Sequence, residues 1–245
     1  MAVNLQPAGR VPTLTARPAL VEVLLVFLGV SLYASALSRL QFVGFIHEHL
    51  HELVAAAFLF VPQLVLRGRG DLEAYGLRAD PVKRGLLLAG AFICVVLPLF
   101  VVGFYVWNRW ACVHFPVVVP GSCWHLSHPH LVLPRGLAML ALAQLVVVAL
   151  PEELFFRGYL MGRLEDALPP SRTLLGAPVG WALVLQAVLF GLGHVLVSLD
   201  PLAFTRAFPG LLFGWLFART RSVLAGTLFH AACNVLVEVL AMSLL

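Results

Sequence analysis

Long apolar runs separated by short polar stretches fill this chain from residue 20 onward. A bilayer-spanning helix needs roughly 20 mostly apolar residues. Seven stretches approach that length: 20–37, 50–66, 85–106, 137–160, 181–199, 207–218 and 223–244. The sixth is short, with Pro209 and Gly210 near its start. In lipid the backbone must satisfy its own hydrogen bonds, so each stretch is expected to be a helix. The pattern therefore predicts an all-α polytopic membrane bundle of about seven transmembrane helices, six to eight.

Composition agrees. Hydrophobic residues make up 61% of the 245 and charged residues 11%, against roughly 25% charged in soluble domains; the mean hydropathy is +0.95. The length suits one transmembrane domain over residues 20–245, after a cytoplasmic tail at 1–19. No convincing small-residue cleavage site follows the first apolar run, so it reads as a retained span. The net charge of +4 does not point to nucleic acid, because the basic residues sit in the loops, where they orient a membrane protein. With the N-terminus in the cytoplasm, the inner segments carry Arg10, Arg17, Arg67, Arg69, Arg78, Lys83, Arg84, Arg157, Arg163, Arg172, Arg219 and Arg221. The outer ones carry Arg39, Arg109, Arg135 and Arg206, a ratio of 12 to 4.

Against this background the polar residues inside the spans stand out. Residues 137–150 hold one polar side chain, Gln144, and are followed by Pro151-Glu152-Glu153-Leu154-Phe155-Phe156-Arg157. An ionised group at mid-bilayer depth costs about 2.5–3.5 kcal/mol on insertion scales and is usually functional. Glu153 and Arg157 are four apart, in the favoured order for a helical ion pair. Glu152 has apolar Val148 and Phe156 at those spacings, so its partner must come from another helix. Pro151 cannot donate to the preceding turn and loosens the helix there. A second site is Phe190-Gly191-Leu192-Gly193-His194, and a third is His230 with Asn234 on one helical face. Arg221 marks the cytoplasmic end of the last span, which puts His230 about 13 Å inside at ~1.5 Å per residue. Taken singly, a buried His more often packs than reacts, and a His/Asn pair often joins helices. Together, one carboxylate, two imidazoles and a carboxamide are the groups needed to activate water and hold an oxyanion.

Glu-Glu-x-x-x-Arg, Phe-x-x-x-His and His-x-x-x-Asn, in this order on separate spans, resemble the motifs of the CAAX protease and bacteriocin-processing (CPBP, Abi) family. These are intramembrane glutamic endopeptidases of the Ras-converting-enzyme type. The resemblance covers roughly residues 137–240, the expected catalytic core. It implies a helical bundle around a cavity within the membrane, and peptide-bond hydrolysis. On the matching positions it implies that Glu152, assisted by His194, activates water. His230 and Asn234 would hold the oxyanion, and Glu153 and Arg157 would brace the helix, with Phe190 opening the second motif. The substrate it implies is a membrane-anchored protein or peptide cut near its C-terminus or membrane segment. A bacterial inner-membrane enzyme is favoured, a C-terminal sorting (myxosortase-like) member being one option.

Two His and a Glu are also a zinc-ligand set, but the chain has no His-Glu-x-x-His, and the resemblance implies a metal-free mechanism without cofactor. Peptide binding without cleavage, as in bacteriocin immunity, is the alternative function. A proton-coupled carrier would place polar residues in both halves, whereas here they cluster in the C-terminal half. Cys112 and Cys123, in the long outer loop at 107–135, are a disulfide or two free thiols. Cys94 and Cys233 read as small core residues. His47-Glu48-His49-Leu50-His51-Glu52 reads as a polar helix start at the outer surface, and His125, His128 and His130 read similarly.

Overall fold

The computed structural model describes residues 16–66, 73, 76–78, 82–114 and 130–244. Cys123, His125 and His128 lie outside them, and so do the alternatives of a Cys112–Cys123 disulfide or two free thiols and most of the outer loop.

The helices are α1 (Ala16–Arg39), α2 (Gly44–Glu48), α3 (Leu50–Val65), α4 (Val82–His114), α5 (Leu137–Ala167), α6 (Trp181–Ser198), α7 (Ala207–Thr220) and α8 (Leu224–Leu244). Among the described residues, six helical segments are long and apolar enough to cross a membrane, and α3 is a shorter apolar helix. The polytopic helical bundle expected from the apolar pattern is the observed fold. The short sixth span is helical but begins earlier than expected. A 3-10 turn at Pro201–Arg206 runs straight into α7, making a 20-residue apolar unit. Asp200 caps that turn by accepting from the Leu202 amide at 2.9 Å, in the manner of an N-cap. In the other direction α4 overruns its expected end at 106. Asn108 donates to the Phe104 carbonyl at 2.8 Å, so a polar side chain is tolerated without ending the helix.

Between α5 and α6 lies a hairpin of β1 (Arg172–Leu174) and β2 (Ala177–Val179), with Arg172 opposite Val179 and Leu174 opposite Ala177. Leu175 and Gly176 turn it with φ of 49° and 78°, the left-handed geometry of a two-residue hairpin. The apolar pattern alone gives no strand here.

The ends of the helices sort onto two faces. On one face the Val223 amide donates to the Gly76 carbonyl. On that face, too, Arg221 pairs with Glu165 at 2.6 Å, and the Trp215 indole donates to Leu174 O at 3.0 Å. On the opposite face Ser35 of α1 donates to Leu196 O of α6 at 2.8 Å. There the Val132 amide donates to the Ser243 hydroxyl of α8 at 2.9 Å.

The core is aromatic. Phe155, Phe156 and Tyr159 of α5, Phe190 of α6, Phe213 of α7 and Phe229 of α8 are buried together. Lipid is as apolar as these rings, so burial alone does not hold membrane helices together; close packing and buried polar bonds do. Gly191 illustrates the packing: a Cβ there would lie 2.8 Å from Phe204 O of the 3-10 turn.

Helix α5 is the irregular member. It winds as a π-helix over Gln144–Ala149 and again over Leu154–Met161, with an α-helical turn, Leu150–Glu153, between them. Pro151 lies in that turn. Its missing N–H and its ring exclude the regular bond to the preceding turn, and the wider π turn is the usual accommodation, frequent at functional sites. The expectation of a loosened helix beside the acids is met in this form.

Candidate active site

The two adjacent carboxylates of α5 have different surroundings. Glu153 is fully buried, and its Oε1 lies 3.0 Å from Arg157 Nη1 and 3.0 Å from His230 Nδ1. The expected pair with Arg157 is present, and Glu153 additionally holds an imidazole from α8. Gly226 makes room for it, since a Cβ there would stand 2.6 Å from Glu153 Oε2. Arg157 is also fully buried. Its guanidinium lies 4.3 Å from the Phe190 ring centroid and 4.9 Å from that of Phe213. A desolvated cation over an aromatic face gains about 2 kcal/mol, which offsets part of the cost of burying it. Phe190 covers Arg157 on one side and touches both imidazoles, with ring centroids 4.6 Å from His194 and 5.8 Å from His230. The ring thus joins the ion pair to the two histidines.

Glu152 is the open carboxylate. Its Oε2, like Glu153 Oε2, has no hydrogen-bond partner among the described residues, but unlike Glu153 it has no second oxygen held by a cation and an imidazole. His230 Nε2 stands 3.8 Å from Glu152 Oε2, too far for a direct hydrogen bond. Glu152 lines a cavity of about 190 Å³ together with His194, Ser31, His51, Phe58 and Phe156. This cavity is smaller than the roughly 300–1,000 Å³ of drug-sized pockets. It admits a few side chains rather than a folded helix.

The hydrogen-bond network assigns the tautomers. His194 Nδ1 lies 2.8 Å from Phe190 O. A carbonyl only accepts, so Nδ1 carries the hydrogen and the neutral ring offers Nε2 as an acceptor. His230 Nδ1 faces the Glu153 carboxylate, itself paired with Arg157, so the same holds there. Both rings thus turn an Nε2 lone pair outward, and His230 directs its own at Glu152. Asn234 donates to Gln144 Oε1 at 2.9 Å. That leaves one amide hydrogen of Asn234 uncommitted.

Of the residues singled out in the sequence, Glu152, Glu153, Arg157, Phe190, His194 and His230 are gathered where α5, α6 and α8 meet. Glu152 and His194 share the cavity, while His230 and Asn234 stand outside its lining. Asn234 is anchored to the N-terminal part of α5 instead. Several residues of the site do not emerge from sequence reasoning. Gln144 has a visible signal, being the single polar side chain of its run. Phe213, stacked on His230 at 4.6 Å with an interplanar angle of 16°, has none, since a phenylalanine in an apolar span is unmarked. His51 fits the expected polar helix start, being exposed near the beginning of α3, yet it also lines the cavity. Among the described residues no three His, Cys, Asp or Glu side chains gather to hold a metal ion.

Residues 134–236 match the family model described as Type II CAAX prenyl endopeptidase Rce1-like. No curated protein and no solved structure matches the chain. The matched stretch contains all three motifs and Gln144 stands within it, whereas α1 to α4 all lie before it. The six helices long and apolar enough to cross a membrane make the chain an integral membrane protein, and the stretch that carries its motifs is similar to a protease family.

Proposed function

We propose, from the match of residues 134–236 to the model described as Type II CAAX prenyl endopeptidase Rce1-like, that this protein is a metal-free intramembrane glutamic endopeptidase. Its substrate is a membrane-associated protein, cut near the C-terminus or beside a membrane segment. The observation that carries this reading is the contrast at residues 152 and 153: two neighbouring carboxylates, one fully buried with its Oε1 held by both Arg157 and His230, the other without a close ion pair and lining a cavity that it shares with His194.

In the proposed reaction Glu152, with His194 beside it, takes a proton from a water held between them, and the resulting hydroxide attacks the scissile carbonyl carbon. The oxyanion accepts from the second amide hydrogen of Asn234 and from His230. While neutral, His230 offers Nε2 only as an acceptor, because its Nδ1 hydrogen faces Glu153; it donates to the oxyanion through Nε2 once the proton taken from water has passed to it from Glu152, 3.8 Å away. Collapse of the tetrahedral intermediate breaks the C–N bond, and the proton first taken by Glu152 passes to the departing amine. General base catalysis of this kind contributes roughly 10²–10⁴ in rate.

The test compares membrane proteins from cells carrying the wild type or Glu152→Gln by mass spectrometry. A truncated species found only with the wild type supports proteolysis and names the bond. Identical proteomes from the two strains, with the variant present at wild-type level, refute it.

A further inference from the structure

The cavity has a direction. Its lining from α1 is Ser31, Ala34 and Ser38, in the C-terminal half of that helix, and from α3 it includes Leu50 and His51, at the very start. From α6 it takes Gly193, His194 and Val197, in the last six residues of the helix. These ends lie together on one face of the bundle, as the Ser35 bond to Leu196 O and the Arg39 bond to Val197 O at 3.3 Å show. His51 there is exposed. The lining includes no residue from the opposite face, where the 172–179 hairpin, Arg219 and Arg221 stand.

The charges say which face is which. Among the described residues the hairpin face carries Lys83, Arg84, Arg172, Arg219 and Arg221. The cavity face and its loops carry only Arg39, Arg109, Arg135 and Arg206. An excess of Lys and Arg marks the cytoplasmic side. Arg157, counted as cytoplasmic from the sequence alone, is buried mid-helix and drops out, leaving 11 against 4; the bias stands.

We propose that the catalytic cavity is loaded from the non-cytoplasmic side. The substrate is then a translocated segment of an exported, membrane-anchored protein, entering as unwound chain, and not the cytosolic C-terminus of a prenylated protein. The proposal rests on the proteolytic reading for its chemistry, but its sidedness is independent of any catalysis.

Ser38→Cys and His51→Cys, at the cavity mouth, are treated in intact cells with a membrane-impermeant maleimide. Leu175→Cys, at the exposed hairpin tip, serves as the opposite marker, and the wild type gives the background of the native cysteines. The expected result is labelling of the first two in intact cells and of Leu175→Cys only after permeabilisation. The reverse pattern overturns the proposal. Alkaline phosphatase, which folds only outside the cytoplasm, is fused after α8 as a check that needs no substitution. Its activity supports the assignment and a cytoplasmic, inactive fusion overturns it. Wild-type-specific truncations confined to cytosolic C-termini would also overturn sidedness while leaving proteolysis standing. Correct labelling with no truncation at all would remove the proteolytic reading and leave the sidedness in place.

Discussion

Glu22 and Glu152 are both carboxylates within apolar helices, and the difference between their surroundings separates a brace from a reactive group. Glu22 of α1 accepts from Arg163 Nε at 2.9 Å, from Arg163 Nη2 at 3.0 Å and from the Tyr159 hydroxyl at 2.9 Å. Arg163 is held in turn by Asp166 at 2.6 Å. Every one of these bonds ties α1 to the end of α5 or stiffens that end. Glu152 lies eleven residues before Arg163 on the same helix, yet its Oε2 has no hydrogen bond among the described residues. A buried charge persists when paired, and breaking the pair costs heavily. A carboxylate left open beside a cavity contributes little to folding and remains free to take a proton. Glu153 belongs with Glu22 in this respect, although it stands next to Glu152 in the sequence.

The comparison breaks most decisively at Glu152. Glu152→Gln should lower peptide hydrolysis by roughly 10²–10⁴-fold while the melting temperature in detergent stays close to wild type, because no hydrogen bond of the fold is lost. A large drop in melting temperature would move Glu152 into the class of Glu22. Arg157→Met should do the opposite. It strands the fully buried Glu153 without its cation and should cost about 3–5 kcal/mol of stability, read from thermal unfolding; a well-folded variant would show that His230 suffices as counter-charge. Asn234→Ala should slow turnover by about 10²–10³-fold, the usual effect of removing one oxyanion donor, with substrate binding little changed. A raised KM at unaltered kcat would assign Asn234 to binding instead. Glu22→Gln should destabilise by about 1.5–3 kcal/mol through weakened charge-assisted bonds and leave kcat intact. Gly226→Ala should cost about 1–3 kcal/mol by overpacking against Glu153, and its effect on kcat reads how firmly Glu153 positions His230.

Much of this is legible in the sequence for one reason: polar groups are rare in apolar spans. The helices follow from the apolar runs, and the motif residues follow from being exceptions within them. Elsewhere the local signals are ambiguous. The 3-10 start of the sixth span looks like a loop because Asp200 and Pro201 are turn residues anywhere. The 172–179 hairpin is too short for alternation to register. Gln144 stands out as polar but has no visible partner until α8 is placed against α5. Phe213 cannot be distinguished from the other phenylalanines.

What the chain determined by itself was that it lies in a membrane, where its spans run, and which few side chains bear the unusual cost of being there. These are properties of single segments, set by transfer free energy and helical spacing. The packing of α5 against α6 and α8 decided the rest. It pairs Glu153 Oε1 with Arg157 and His230, leaves Glu152 without a close partner, fixes both imidazole tautomers, and aims the cavity at one face of the bundle. Such assignments depend on which atoms from distant segments come within about 3 Å of each other, and no periodicity along the chain carries that information.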